Sequence, residues 1–334
     1  MNDEQISVRL AKRPVGVPRS NDWSIERTHR PEPPMGEALV RVAYISVDPA
    51  MRGWIEEKQS YLPPVAIGEV MRASAVGQVV ASNCNGLEVG QWVTGLFGVQ
   101  RYASVRPEAA TVVDVTLAPP ESYLASLGVP GLTAYFGLLD IGRPKSGETV
   151  LVSAASGAVG AVVGQIAKIK GCRVVGLASS DAKVDYLTRE LGFDAAIKYD
   201  MSKISEQIQI LCPEGVDVYF DNVGGDMLEA AIASMRPGGR IVSCGMISIY
   251  NDHTPRPGPK NLDRIIINRL TIQGFVVLDY FARQAEFAAE MGPWLQQGLI
   301  QSKIDVIEGV ENFPEALPKL FNSSNFGKLV IKAN

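Results

Sequence analysis

Histidine and cysteine are scarce in this chain of 334 residues, which has two histidines and four cysteines. The cysteines, Cys84, Cys172, Cys212 and Cys244, stand singly, and no histidine lies within a helical turn of any of them. A zinc site needs three or four nitrogen or sulfur ligands, so no bound zinc is expected. Reduced thiols in a cytoplasmic protein are the favoured interpretation. His253 lies in a proline-rich stretch and is expected in a loop.

The sequence also lacks a strong charge of one sign and a long apolar run. Its 32 basic and 36 acidic residues give a formal net charge of −4. Nucleic acid is not an expected partner, because binding the phosphate backbone requires a concentrated basic face. No apolar stretch approaches the roughly 18 residues of a membrane span. Without such a span, no membrane partner is expected. The first residues, Met1 to Gln5, are acidic and polar, so they are not expected to be a secretory signal.

The pattern of short apolar runs divides the chain into two parts. Up to about residue 125, β-type runs alternate with Gly and Pro, which is typical of a small all-β or barrel-like domain. From Val150 onwards, strand-like and helix-like segments alternate in the order of a doubly wound parallel sheet. The predicted α/β chain has one barrel-like domain at 1–125 and 299–334 and one Rossmann domain at 126–298.

Several elements of the second half are specific enough to test. Apolar periodicity predicts helices over 162–170, 184–191 and 281–297. Two late strand-like runs, 305–308 and 327–332, come after the parallel sheet has closed. They are expected to return to the first domain.

The most informative segment is a strand, a glycine turn and a helix. The buried-type strand Val150–Val152 is followed by small residues, by Gly157 and Gly160, and by a helical pattern. Such a turn presents backbone N–H groups to a pyrophosphate. Gly157 would let the backbone approach the phosphates, and Gly160 would let the helix pack close to the strand. A lone glycine pattern is weak evidence, but the second strand follows in the required order, which predicts a dinucleotide site.

The end of that second strand indicates which dinucleotide is bound. An NAD site usually has Asp or Glu there, on the ribose hydroxyls, whereas this chain has the neutral Ala178, Ser179 and Ser180. Lys183 lies one turn into the next helix and could pair with an adenosine 2′-phosphate, to which the serines could donate. This favours NADP(H). The alternative is that Asp181 is the ribose acid and Lys183 a solvated surface lysine.

Six stretches together resemble the zinc-independent medium-chain reductases, and in particular the leukotriene hydroxydehydrogenase / prostaglandin reductase family with its bacterial curcumin-reductase-type members. They are Ser46–Gly53, Pro130–Gly137, Ala154–Gly160, Phe220–Gly225, Cys244–Asn251 and Asn325–Val330. The resemblance spans nearly the whole chain in the family's order. It implies a GroES-like β-barrel domain plus a Rossmann domain, a homodimer, and NADPH-dependent reduction of the carbon–carbon double bond of a small α,β-unsaturated ketone or aldehyde.

The resemblance also implies which residues bind the cofactor. Those under the pyrophosphate are Gly157, Ala158, Val159 and Gly160. Those at the 2′-phosphate are Lys183 and Tyr199, with Ser179 beside them. The others are Asn222 in the crevice beyond the strand ends, Cys244, Gly245, Met246, Ile247, Ser248 and Tyr250 around the nicotinamide, Phe275, Val276 and Val277 at the carboxamide, and Asn325, which reaches back to the cofactor.

Three of these assignments have a structural alternative. Tyr199 could be a half-buried surface tyrosine. Asn222 could be a turn residue before Gly224 and Gly225. The stretch 275–277 could be a buried strand, which is compatible with a backbone contact to the cofactor.

The reaction requires a group that stabilises negative charge on the carbonyl oxygen after hydride has attacked the β-carbon. Because zinc ligands are lacking, hydrogen-bond donors must provide this stabilisation. Tyr250 is the first candidate donor or proton source, since a phenol keeps its proton at neutral pH. The cofactor ribose hydroxyl could serve equally well, and Tyr250 could instead merely position the ring.

Two residues bear on the substrate. Arg52 is a candidate for binding an anionic substrate end, with a structural ion pair as the alternative. Ala50 stands where the family usually has tyrosine in Asp-Pro-Tyr-Met-Arg, which is expected to reshape the substrate mouth.

Two other functions would use the same cofactor site. A quinone reductase of the same superfamily would accept flat quinones in place of enones. A catalytically silent NADP(H)-binding protein would sense redox state, although Tyr250 and Asn325 argue against that reading.

Overall fold

The structure, a computed structural model, describes residues 4–58, 60–252, 254 and 257–333. His253 lies outside these residues, so its place in a loop stays a prediction. The chain forms two compact units, Met1–Ala125 with Ile304–Asn334, and Ser126–Lys303. The Gln301 backbone N–H donates to Gln165 Oε1 at 2.8 Å, and both residues belong to the second unit. The domain bounds expected from the sequence stay a prediction.

Strands dominate the first unit, and strands alternate with helices in the second. The strands are β1 (Glu4–Leu10), β2 (Trp23–His29), β3 (Ala38–Ser46), β4 (Ala75–Ser82), β5 (Trp92–Gly95), β6 (Tyr102–Val105), β7 (Ala110–Val113), β8 (Thr149–Val152), β9 (Arg173–Ala178), β10 (Ala195–Lys198), β11 (Val216–Asp221), β12 (Met235–Ser243), β13 (Thr271–Gly274), β14 (Ile304–Glu308) and β15 (Lys328–Lys332). The α-helices are α1 (Met51–Trp54), α2 (Val129–Phe136), α3 (Ala158–Ile169), α4 (Asp181–Asp185), α5 (Ile204–Leu211), α6 (Gly225–Ser234), α7 (Asp263–Ile267), α8 (Gln284–Gln296) and α9 (Phe313–Phe321).

The first unit is built on a mixed sheet in the order β14-β15-β3-β4-β5-β7, and β6 also pairs with β3. β3 is its central strand, because Leu39, Val40, Val42 and Ile45 are fully or almost fully buried. One edge of β3 changes partner along its length, from β6 at its start to β15 at its end. The predicted return of the late strands to this domain is therefore confirmed.

The second unit contains a six-stranded, all-parallel sheet in the order β10-β9-β8-β11-β12-β13. All four residues of β8 are buried, as expected for a central strand covered on both faces. The strand order reverses between β8 and β11, which is the doubly wound topology that the sequence predicts. The carboxyl ends of the six strands therefore share one edge of the sheet, called the C-terminal edge below.

Three helix boundaries differ from the predictions. α3 begins at Ala158 rather than Val162, because its extended N-cap residue, Gly157, already accepts the first intrahelical bond, from the Ala161 N–H at 3.0 Å. α4 begins at Asp181 and is continued by a π turn over 186–190. α8 begins at Gln284 rather than 281, after a 3₁₀ segment.

In the part of the chain that the structure describes, no helix is both long and apolar enough to cross a bilayer.

Candidate cofactor-binding site

The loops after β8, β9, β11, β12 and β13 all leave the sheet at its C-terminal edge. Because the strand order reverses between β8 and β11, the chains leaving these two strands diverge. In doubly wound sheets this divergence opens the crevice in which ligands bind. The predicted cofactor residues of the second unit lie in these loops and in the elements directly after them.

The turn after β8 brings α3 unusually close to the strand. Ala154 has the left-handed φ of 47°, and its carbonyl accepts the Gly157 N–H at 2.9 Å. A Cβ on Gly160 would lie 2.5 Å from Ala154 O and 2.8 Å from Ala155 Cα. Both obstacles are backbone atoms, so only glycine fits there without moving the chain. The predicted role of Gly160 in close packing therefore agrees with the geometry.

The N-terminus of α3 has the features of an anion site. The first intrahelical bond runs from the Ala161 N–H to Gly157 O at 3.0 Å. The N–H groups of Ala158, Val159 and Gly160 precede it and so have no acceptor inside the helix. The first turn contains no acidic residue, and the helix dipole favours negative charge at this end. A Cβ on Gly157 would meet only Ala154 O, at 3.2 Å.

The residues after β9 decide whether Lys183 is a solvated surface lysine. Lys183 is buried, with 8% of its surface exposed. Its Nζ donates to Ser179 Oγ at 3.1 Å, and its backbone N–H to the capping Ser180 Oγ at 3.4 Å. The interpretation of Lys183 as a solvated surface lysine is therefore wrong. Asp181 is largely exposed and pairs with Lys198 at 3.2 Å.

Tyr199 follows β10 directly and lies beside the end of β9. Its backbone N–H donates to Ala178 O at 3.0 Å, which places it next to Ser179 at the C-terminal edge. The ring is half-buried against the core that includes Leu177 and Ile197. This burial matches the structural alternative for Tyr199, and its contact with a phosphate stays a prediction.

The loop after β11 is joined to the loop after β8. Asn222 donates through Nδ2 to Ser153 O at 2.8 Å and through its backbone N–H to Ser153 Oγ at 2.9 Å. Gly224 and Gly225 follow with left-handed φ values of 69° and 56°. Asn222 therefore has the turn-forming role that the sequence left open, and it also connects the strands on either side of the crevice.

Asp221 is a residue of this loop that the sequence analysis did not single out. Its side chain is fully buried, and its Oδ1 accepts from Tyr219 Oη at 2.8 Å, Val223 N at 3.0 Å and Gly224 N at 2.9 Å. Burial raises the pKa of Asp221, and these donors oppose the rise. The available signal was its position as the last residue of a buried strand, directly before Asn-Val-Gly-Gly.

The loop after β12 folds onto the loop after β11. The N–H groups of Cys244 and Gly245 donate to Asp221 O at 2.9 and 3.0 Å, and Ser248 Oγ donates to Val223 O at 2.7 Å. Burial, with a contribution from the nearby Asp221 charge, raises the pKa of the Cys244 thiol to about 12. Cys244 is therefore a neutral thiol at physiological pH.

Tyr250 contributes to the shape of this same loop. Its hydroxyl oxygen accepts the Met246 N–H at 3.1 Å. A Cβ on Gly245 would lie 3.2 Å from that oxygen, so glycine allows the phenol to come close. Accepting this bond uses a lone pair of the oxygen and not its proton. The geometry thus gives Tyr250 a positioning role, and its role in the chemistry stays a prediction.

The stretch 275–277 lies beyond the last strand of the sheet. β13 ends at Gly274, so the alternative of a buried strand is wrong, and the three residues are only partly buried. The Phe275 ring packs so close to Gly137 that a Cβ there would lie 2.6 Å from it. The ring also meets Tyr280 edge-on, with 6.1 Å between centroids. Packing thus fixes the backbone that was predicted to contact the carboxamide.

The remaining predicted residues belong to the first unit. Arg52 is 1% exposed, and it pairs with Glu56 at 2.8 Å and donates to Gly16 O at 3.2 Å. This supports the structural ion pair rather than a substrate contact. Ala50 is the N-cap of α1 and is half-buried.

The end of the chain is tied to the stretch before Ala50. Lys328 is buried, and its Nζ donates to Asp48 Oδ1 at 2.7 Å and to Val47 O at 2.9 Å. Asn325, three residues earlier, donates to Gly327 O at 3.1 Å. Its contact with the cofactor stays a prediction.

A zinc donor set is not assembled in the described residues. They contain no group of three or more His, Cys, Asp or Glu side chains that could hold a metal ion. The four cysteines are free thiols. Zinc independence and the cytoplasmic location stay predictions.

Comparison with known proteins identifies the family. A family model described as the N-terminal domain of oxidoreductase matches residues 7–113, and one described as zinc-binding dehydrogenase matches 158–297. The chain is 40% identical to the NADPH-dependent curcumin reductase of Escherichia coli, over 97% of this chain and 95% of the relative. It is 38% identical to the NADP⁺-dependent 2-alkenal reductase of Nicotiana tabacum, over 95% and 94%.

A solved structure agrees with this result. CurA from Vibrio vulnificus, crystallised in complex with NADPH, matches with a TM-score of 0.93 and 41% identity, over 98% of this chain and 99% of that one. The chain belongs to the medium-chain dehydrogenase/reductase family, in the group of the prostaglandin and curcumin reductases. The predicted family and fold class are confirmed.

Proposed function

We propose that this NADP-dependent oxidoreductase reduces the carbon–carbon double bond of α,β-unsaturated ketones and aldehydes, without zinc. One observation carries the proposal. The C-terminal edge of the parallel sheet has the features of a dinucleotide site, with the buried Lys183 shortly after β9. The chain is similar, over almost its full length, to reductases named for curcumin and for 2-alkenals.

The residues of the edge fit NADP(H) by their chemistry. The N-terminus of α3 suits the pyrophosphate, because its N–H groups and dipole favour an anion and Gly160 admits no side chain. Lys183 and Ser179 offer a cation and a hydroxyl for the 2′-phosphate, in a site that is shielded from solvent. When bound, NADPH would supply the hydride that adds to the β-carbon of the substrate.

Tyr250 is the proposed donor to the substrate oxygen. Its hydroxyl is held by the Met246 N–H, which restricts where its own proton can point. A donor preorganised in this way stabilises the enolate charge more than water does, because it needs no reorganisation as the charge develops. The neutral Cys244 thiol in the same loop adds no negative charge that would oppose the enolate.

The function is tested by following NADPH absorbance with a linear enone such as 3-nonen-2-one, and by identifying the product. We expect NADPH consumption, a saturated ketone as product, and much slower turnover with NADH. Turnover of simple quinones in preference to enones would instead support the quinone reductase. NADPH binding without turnover on either class would support the redox sensor.

The assignment of Lys183 is tested by the variant Lys183→Met, with Lys198→Met as its control. Lys198 is a solvent-exposed lysine at the end of the neighbouring strand, paired with Asp181. A charged hydrogen bond contributes about 1.5–3 kcal/mol, so Lys183→Met should weaken NADPH binding roughly 10- to 100-fold and leave NADH binding unchanged. Calorimetry measures both affinities. An equal loss for both cofactors would contradict the 2′-phosphate assignment.

The variant Tyr250→Phe distinguishes a role of the hydroxyl in the reaction from a role in positioning the loop after β12. We expect turnover to fall at least tenfold, about 1.4 kcal/mol, while NADPH affinity barely changes. Steady-state kinetics and direct NADPH binding give the two values. A weaker NADPH affinity with unchanged turnover would show that the hydroxyl only holds the Met246 N–H.

We also propose that the protein is a homodimer joined through the edge of its parallel sheet. In the described residues β13 pairs only with β12, and all four of its residues are exposed. Ile272, Ile266 and Ile267 are 38%, 82% and 57% exposed on β13 and the adjacent α7. An exposed apolar sheet edge is a template for pairing with another chain.

Light scattering tests the dimer directly. We expect twice the chain mass of 36.0 kDa, and a shift toward the single-chain mass in Ile266→Lys, because a charge at this position would face the partner. A wild-type protein that elutes as a single chain at micromolar concentration would refute the dimer.

A further inference from the structure

Asp221 is a buried carboxylate to which the chemistry described above assigns no role. It is the last residue of β11, and none of its surface is exposed. Four donors converge on Oδ1, whereas Oδ2 has no hydrogen-bond partner in the described part of the chain. A buried carboxylate oxygen without a donor lowers stability. Stability of the core therefore does not explain why the carboxylate of Asp221 is buried.

The four donors show what the carboxylate organises. Two of them, the N–H groups of Val223 and Gly224, belong to the turn that leads into α6. Gly224 is left-handed there, and a Cβ on it would lie 2.9 Å from the Met246 side chain. A buried N–H group that loses its acceptor is destabilising, so these two bonds to Oδ1 hold the turn in place. Asp221 therefore fixes the turn at the point where it touches the loop after β12.

The backbone of Asp221 extends the same connection. Its carbonyl accepts the N–H groups of Cys244 and Gly245 at 2.9 and 3.0 Å. Ser153 Oγ donates to Asp221 Oδ1 at 3.4 Å and accepts the Asn222 N–H at 2.9 Å. One residue thus connects the ends of β8, β11 and β12, the three strands around the crevice.

We propose that Asp221 is a positioning residue for the cofactor. Its Oδ1 fixes the turn after β11 and the Ser153 side chain after β8, and this turn in its fixed position supports the loop after β12, which packs against Gly224. This inference rests on the proposed function, because it assigns the three loops to NADPH. Asp221 is then necessary for the shape of the site, although it does not contact the cofactor.

The matched control lies on the same strand. Asp217 is near the start of β11, where its Oδ2 accepts the Thr149 N–H at 2.9 Å and its Oδ1 pairs with Arg236 at 3.5 Å. It also joins β11 to its neighbours, but at the opposite end from the C-terminal edge. Asp217→Ala should therefore lower thermal stability and leave NADPH affinity unchanged.

The experiment measures NADPH dissociation constants and melting temperatures for the wild type, Asp221→Ala, Asp221→Asn and Asp217→Ala. We expect Asp221→Ala to weaken NADPH binding at least tenfold. Asp221→Asn, which keeps the acceptor oxygen, should recover affinity to within about threefold of the wild type. If Asp221→Ala does not fold, Ser153→Ala replaces it. That change removes the hydrogen bond from the end of β8 to Asp221 Oδ1, together with the acceptor for the Asn222 N–H, and it should also weaken binding.

Two results would overturn the inference while leaving the proposed function intact. The first is that Asp221→Ala, or Ser153→Ala in its place, binds NADPH as tightly as Asp217→Ala. The second is that Asp221→Asn binds as weakly as Asp221→Ala, which would make the charge rather than the acceptor geometry decisive. A wild-type protein that does not bind NADPH would overturn the proposed function together with this inference.

Discussion

Between β8 and β11 the order of the parallel strands reverses, and the C-terminal edge that is proposed to bind the cofactor depends on this reversal. The chains leaving the two strands diverge, which opens a crevice that a continuous strand order would leave closed. A divergent edge also leaves backbone groups that need partners. Ser153, Asn222 and Asp221 supply them, so the residues that stabilise the crevice are also those that define its walls.

The C-terminal edge of the sheet is suited to an anion although it has few formally charged groups. The N-terminus of α3 contributes backbone N–H groups and a dipole, and Lys183 contributes one buried cation. A shielded lysine interacts more strongly with a phosphate than an exposed one, because water screens it less. This arrangement is compatible with a net charge of −4 for the whole chain, since the affinity would come from position rather than from a basic surface.

The sequence predicted the features that follow from local pattern. The glycine turn at Gly160, the parallel sheet and the lysine at the end of β9 each follow from residue spacing together with the chemistry of one element. Asp221 escaped prediction because its importance comes from donors on two loops that only the folded sheet brings together. The early start of α3 and the late start of α8 escaped it for a related reason, since capping and packing override apolar periodicity at helix ends. The cofactor contacts of Asn222, Tyr250 and Asn325 stay predictions.

The most direct test of the account follows the hydride itself. NADPH carrying deuterium at C4 of the nicotinamide would be turned over with a linear enone, and the label in the product would be located by NMR. The account predicts deuterium on the β-carbon of a saturated ketone and a solvent proton on the α-carbon. Deuterium on the carbonyl carbon of an allylic alcohol would contradict it, because the reaction would then be carbonyl reduction.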